Sequence, residues 1–177
     1  MMKNKILFLA LFTLLGSGSS LAAQNNVKVK GTLVNSPCIV MPSDKNVEVD
    51  FGDIRLLDIY DSGFLFPRKE LTLVLSNCDL TIAKKMKVKI SGAEHGQMPG
   101  YLALNGSDNP GLGIGVELTD GTEIKINQFS SLLPIVQQGK NELKFNTFLK
   151  ATAESINNKQ VKAGRVTATA TFLFEYE

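Results

Sequence analysis

Few residues in this chain have types and spacings suited to chemistry, and the two cysteines, Cys38 and Cys78, are the clearest. Two thiols in an exported chain favour one disulfide. It would close a loop of about 40 residues, worth roughly 3–4 kcal/mol in the chain-entropy picture. A zinc site would need more ligands than two cysteines and the single histidine, His95, supply. His95 sits in AEHGQMPG beside Glu94, a stretch with loop composition. Neighbouring residues on a strand point to opposite faces, so Glu94 and His95 make a poor dyad there, and a triad would need convergent partners that the sequence does not offer. His95 reads as a solvated loop histidine. Asp58 and Asp61 flank Tyr60, but EF-hand spacing is absent and they read as a surface loop. No catalytic residue, metal site or cofactor is assigned.

The N-terminus sets the compartment. Lys3 and Lys5 precede the apolar run Ile6–Leu15, followed by small residues and Ala22-Ala23. These are the parts of a secretory signal peptide over residues 1–23. The apolar run, about ten residues long, is too short to span a bilayer. The full chain has 19 Lys+Arg and 17 Asp+Glu; loss of Lys3 and Lys5 leaves 17 of each. That balance gives no argument for nucleic acid or an anionic membrane. The remaining chain, roughly 155 residues, is long enough for one domain with a real core, and no linker divides it.

The elements read almost wholly as strands. Alternating apolar residues predict strands at Val27–Val34, Val47–Phe51, Met86–Ile90, Leu112–Leu118 and Leu143–Thr147, with a short apolar run at Leu71–Leu75. Asp120-Gly121 is a hairpin signal, with Ile124 and Ile126 continuing beyond it. In Lys84–Lys89 the lysines alternate with apolar residues, so the run reads as the wet face of a strand and not as a nucleic-acid patch. Helix candidates are poor: Phe129–Val136 is broken by Pro134, and Thr152–Asn158 allows one or two turns. Short strands in one exported domain with one disulfide point to an immunoglobulin-like β-sandwich.

Both ends of the mature chain carry a strand with one apolar face. At the C-terminus, in GRVTATATFLFEYE, Val166, Ala168, Ala170, Phe172, Phe174 and Tyr176 share one parity. At the N-terminus, in QNNVKVKGTLVNSPC, Val27, Val29, Gly31 and Leu33 share one face, with Lys28, Lys30 and Thr32 opposite. Periodicity alone leaves two readings of this second segment open. It is either the first strand of its own sandwich or a detachable arm that fits another molecule.

Several phrases together resemble the pilin subunits of the chaperone–usher pathway, over nearly the full chain. They are the alternating N-terminal segment with Gly31 and then Cys38, and the second cysteine in LSNCD. The others are GYLALNG followed by GLGIGVELTDG, with Gly100, Gly111, Gly113, Gly115 and Gly121, and Tyr176 penultimate with Gly164 fourteenth from the end. The resemblance implies an all-β, incomplete immunoglobulin-like sandwich lacking its last strand and completed by a donated one. It implies a donor extension over residues 24–36, with Val27, Val29, Gly31 and Leu33 as donor-strand residues, and a pilin domain over residues 37–177. Gly164, Val166, Ala168, Ala170, Phe172, Phe174 and Tyr176 would line the groove or meet a chaperone, although Tyr176 reads equally well as a sandwich aromatic. The implied partners are a periplasmic pilus chaperone, an outer-membrane usher and neighbouring pilin subunits, with no nucleic acid. The expected destination is a cell-surface fimbrium, reached through the periplasm. Met98-Pro99-Gly100-Tyr101-Leu102 with Gly111–Leu118 looks most like P-pilus tip-fibrillum and adaptor subunits. The alternative is a self-sufficient exported immunoglobulin-like module that binds carbohydrate or another surface.

Overall fold

The computed structural model describes residues 30–31, 35–41, 47–61, 68–106 and 108–177. The chain divides into a unit of residues Met1–Val34 and a unit of Asn35–Glu177. Of the first, only Lys30 and Gly31 are described; both are exposed and neither lies in a strand. The expected signal peptide and the strand at Val27–Val34, with Val27, Val29 and Leu33, otherwise lie outside the described residues.

The second unit is built from strands β1 (Lys69–Cys78), β2 (Lys85–Gly92), β3 (Leu102–Ala103), β4 (Leu112–Leu118), β5 (Leu133–Pro134), β6 (Gly139–Ala151) and β7 (Ala170–Tyr176). Two short helices, α1 (Leu56–Asp61) and α2 (Ala153–Asn157), join them. One antiparallel sheet has the order β1-β6-β4-β3 and the other β5-β2-β7. Inward positions alternate as the sequence pattern requires. Leu71, Leu73 and Leu75 of β1, Met86, Val88 and Ile90 of β2, and Leu143 and Phe145 of β6 are buried in one cluster with Ile124 and Ile126. A second cluster at one end gathers Ile59, Leu112, Leu149, Ala151 and Val161.

The strand order has a direct reading. An immunoglobulin fold places strands A, B, E and D in one sheet and C, F and G in the other. Here β1, β6 and β4 are neighbours in the order B, E, D, and β2 with β7 stand as C and F. Ile39 exchanges backbone hydrogen bonds with Ser76 of β1 at 2.9 and 2.8 Å, in the place of strand A. The Cys38–Cys78 disulfide clamps that pairing, and both cysteines are buried. The chain ends in strand F.

The structure departs from the sequence reading in several places. Residues 47–51 form no strand, although Val49 and Phe51 still pack inward against the two clusters. Asp58 and Asp61 lie on α1, not in a loop: Ile59 is buried, and Asp58 accepts from the Arg55 guanidinium at 2.6 and 2.9 Å. Phe129–Val136 contributes the two-residue β5. His95 is buried, with only 5% of its surface exposed, because its Nδ1 accepts the N–H groups of Gln97 and Met98, each at 3.1 Å. The ring acts as an internal cap of the 95–98 turn beside Gly113, where a Cβ would lie 3.2 Å from the imidazole. Glu94 faces other work, accepting from the Gly100 N–H at 2.6 Å.

Candidate strand-docking groove

The last strand is where the fold is unfinished. β7 runs antiparallel to β2 in the register Met86↔Tyr176, Val88↔Phe174, Ile90↔Phe172 and Gly92↔Ala170. Residues directly opposite in an antiparallel pair share a face, so these eight residues, seven of them with side chains, form one layer of the core. Their burial differs sharply. Met86, Val88 and Ile90 are 0–1% exposed, whereas Ala170, Phe172, Phe174 and Tyr176 are only partly buried. The chemistry of the two rows is alike; what differs is lateral cover. β2 lies between β5 and β7, while β7 has no second neighbour among the described residues. An apolar row of this kind beside unpaired backbone groups is a ready template for another strand.

The row is longer than the hydrogen-bonded strand. The sequence pattern predicts a strand through Val166–Tyr176, yet ladder pairing with β2 begins only at Ala170. The alternation of burial nevertheless persists from Val166 to Tyr176. Val166 packs against the end cluster, and Ala168, Ala170, Phe172, Phe174 and Tyr176 against the central one. Residues 167–169 are held from elsewhere: the Asn105 N–H donates to the Thr167 carbonyl at 2.7 Å, and the Asn105 side-chain amide to Thr169 Oγ1 at 3.2 Å. Gly164 is exposed and precedes the row.

The groove wall is graded in size. Ala168 and Ala170 offer one methyl each, and Ala170 pairs with Gly92, which offers none. Leu102 of β3 drops over Gly92, where a Cβ would come within 2.4 Å of Leu102 Cδ1. Towards the C-terminus the wall becomes aromatic: Phe172 meets Phe145 at 5.7 Å between centroids, and Phe174 stacks with Tyr176 at 6.5 Å. Burial raises the Tyr176 phenol above its ordinary value near 10. The outer face is charged. Lys87 hydrogen-bonds the Glu177 carboxylate, has Glu175 at 4.0 Å, and is raised chiefly by the Glu177 bond. The Glu177 main chain stays in the ladder, accepting from Lys84 and Lys85 at 3.1 and 3.0 Å and donating to Lys85 at 2.8 Å.

The expected groove residues from Val166 to Tyr176 thus fall on one row, and Cys38 and Cys78 are bonded to each other. Sequence reasoning missed the parts of the groove supplied by other segments, namely the β2 row, the Leu102–Gly92 contact and the Asn105 clasp. The matching alternation in β2 and the Asn105-Gly106 turn signal were the available clues.

A sandwich whose β7 stands in the F position with no second neighbour among the described residues, and with an apolar row along that open edge, defines the class: an incomplete immunoglobulin-like domain. The family model described as "Fimbrial protein" matches residues 27–177. The chain is 31% identical over 162 residues to the uncharacterized fimbrial-like protein YfcP of Escherichia coli K12, covering 90% of this chain and 88% of that one. It is 29% identical over 179 residues to the fimbrial adapter PapK of Escherichia coli, covering 95% and 96%. The solved P pilus rod subunit PapA shares the fold, with a TM-score of 0.68 and 21% identity over 80% of this chain and all of that one. The chain belongs to the fimbrial protein family, the structural subunits of chaperone–usher pili. Membership places it in a cell-surface fimbrium.

Proposed function

We propose that this subunit is polymerised by donor-strand exchange, as acceptor through the open edge of β7 and as donor through residues 24–34. In this reading residues 1–23 are a signal peptide removed on export to the periplasm, residues 24–36 the donor extension, and residues 37–177 the pilin domain. A periplasmic chaperone covers the edge first, and at the outer-membrane usher a neighbouring pilin's arm replaces the chaperone's strand. The observation that carries the reading is the contrast between fully buried Met86, Val88 and Ile90 and their half-covered partners on β7.

The sheets of the fold are antiparallel, so a strand in the G position runs antiparallel to β7. An arm with this chain's own pattern then fits the graded wall in one register. Leu33 lies opposite Ala170, Gly31 opposite Phe172, Val29 opposite Phe174 and Val27 opposite Tyr176. The largest arm side chain meets the smallest wall residue, and the glycine gives way to a phenylalanine. Each buried Val or Leu contributes roughly 1.5–3 kcal/mol. Exchange proceeds without a cofactor because the incoming strand completes a better-packed core than the strand it displaces.

Within the pilus we assign a minor tip or adaptor position. The support is the resemblance of Met98–Leu102 and Gly111–Leu118 to P-pilus tip and adaptor subunits, together with similarity to a fimbrial adapter. The test is purification of the mature chain with and without its chaperone, and of a variant lacking residues 24–34. The full chain is expected to need the chaperone or an added strand to remain monomeric. The truncated variant is expected to bind chaperone but not to join the preceding subunit. A chain that refolds alone to a stable monomer overturns the reading, as does a truncated chain that fails to fold even with chaperone.

A further inference from the structure

The turn that clasps the leader of β7 carries a pair with chemistry of its own. Of the asparagines in the chain, Asn105 alone precedes a glycine. Asn105 and Gly106 are both exposed in the turn after β3. Gly106 holds a left-handed φ of +53°, with open space where a side chain would stand. No described residue accepts a hydrogen bond from the Gly106 N–H. Among the described residues, the Asn105 carboxamide makes one side-chain contact, an exposed 3.2 Å hydrogen bond to Thr169 Oγ1.

We propose that Asn105 is a site of spontaneous deamidation. The Gly106 backbone nitrogen, which carries no side chain and donates to no described residue, loses its proton and attacks Asn105 Cγ. A five-membered cyclic imide forms as the Cγ–NH2 bond breaks, and the amide leaves as ammonia. Solvent water then adds to either imide carbonyl. Opening at one carbonyl gives aspartate and at the other isoaspartate, whose main chain runs through the former side chain. The net change is an amide plus water converted to an acid plus ammonia, with no oxidant or reductant. Asn109 shows why the neighbour matters: it precedes Pro110, which has no N–H to attack with. It is also buried, donating to the Lys162 carbonyl at 3.0 Å and accepting from the Lys162 N–H at 2.6 Å.

The position gives the modification a structural consequence. The product carboxylate has no N–H to offer Thr169, so that contact survives only if the Thr169 hydroxyl turns to donate. A negative charge then lies beside Thr167–Thr169, next to the small-residue end of the β7 row. This inference stands on the turn itself and not on how the subunit polymerises.

The experiment is prolonged incubation of the folded full chain in neutral and mildly alkaline buffer. Mass spectrometry then reads the proteolytic fragment spanning Asn105, and enzymatic methyl transfer counts isoaspartate. Acid is expected to accumulate at Asn105 ahead of Asn157 and Asn158, faster in the alkaline buffer, with both aspartate and isoaspartate present. Gly106→Ala should slow it severalfold, and Asn105→Gln should abolish the isoaspartate signal at this position. Conversion at Asn105 only after denaturation, or no preference over Asn157 and Asn158 in the folded chain, would overturn the proposal.

Discussion

Two adjacent substitutions of similar size separate the groove from the outer face of the same strand. Ala170 points into the groove and is partly buried, whereas Thr171 points outward and is exposed. In the open subunit a phenylalanine at either position should cost little, because Ala170→Phe extends towards the unpaired edge. The difference should emerge when a strand occupies that edge. In the register proposed above, Ala170 lies opposite Leu33, and a phenyl ring there evicts one leucine-sized side chain. The loss is the burial of that side chain, about 1.5–3 kcal/mol, equivalent to a 10- to 150-fold weaker strand. A suitable host is the chain from Asn35 with residues 24–34 appended after Glu177 through a short Gly/Ser turn, as antiparallel neighbours allow. At this chain length each kcal/mol shifts Tm by roughly 2–4 °C, so Ala170→Phe should lower Tm by about 3–12 °C. Thr171→Phe should leave it within about 2 °C, the spread of an ordinary surface substitution. Equal shifts from the two variants would show that the added strand does not lie over the Val166–Tyr176 row.

Three further outcomes are expected. Replacing Cys38 and Cys78 together by serine should cost the strand-completed subunit roughly 3–4 kcal/mol in urea unfolding, the loop-closure value for about 40 residues, and a loss below about 1 kcal/mol would contradict that account. Gly115→Ala should destabilise by about 1–3 kcal/mol through overpacking, since its Cβ would lie 2.4–2.9 Å from three atoms of the Phe148 ring; unchanged thermal stability would count against the close contact. The raised Tyr176 phenol means that the folded state holds its proton more tightly than the unfolded chain. That contribution is fully present below the ordinary phenol value near 10 and is lost as pH rises through the folded value. Stability should therefore fall above about pH 10, less steeply in Tyr176→Phe, as checked by urea unfolding across the alkaline range.

How much of this was legible in the sequence depends on how local the cause was. β2, β4 and β6 were readable because each buries one face, and a period of two survives in the residue order at Met86–Ile90, Leu112–Leu118 and Leu143–Thr147, while β1 was readable as the short apolar run Leu71–Leu75. Thr152–Asn158, read as room for one or two helical turns, does hold the short α2, because the Thr152 hydroxyl accepts the Ser155 N–H at 3.2 Å, a contact within one turn. The pattern failed where a distant segment decided the outcome. Val47–Phe51 alternates and packs inward at Val49 and Phe51, but pairs with no strand among the described residues. α1 exists because Ile59 finds the end cluster and Tyr60 donates to the Val161 carbonyl at 2.8 Å, across 101 residues. His95 was misplaced because Gly/Pro composition marks a loop correctly but says nothing of what covers it; Gly113, on another strand, leaves the room its ring occupies.

The groove shows the same division more sharply. Its candidate wall is a run of alternate residues, visible in the sequence as six positions of one parity, but the open edge is a property of topology. Alternation in Val166–Tyr176 is equally compatible with a central strand flanked on both sides. Only the order β5-β2-β7, with the row Met86, Val88, Ile90 sealed and the row Phe172, Phe174, Tyr176 not, identifies the side that lacks cover. Burial differences between paired residues of like chemistry therefore locate a missing strand more directly than hydrophobicity does. A full set of inward side chains on β7 with the sealed values of β2 would have described a finished sandwich from much the same residue pattern.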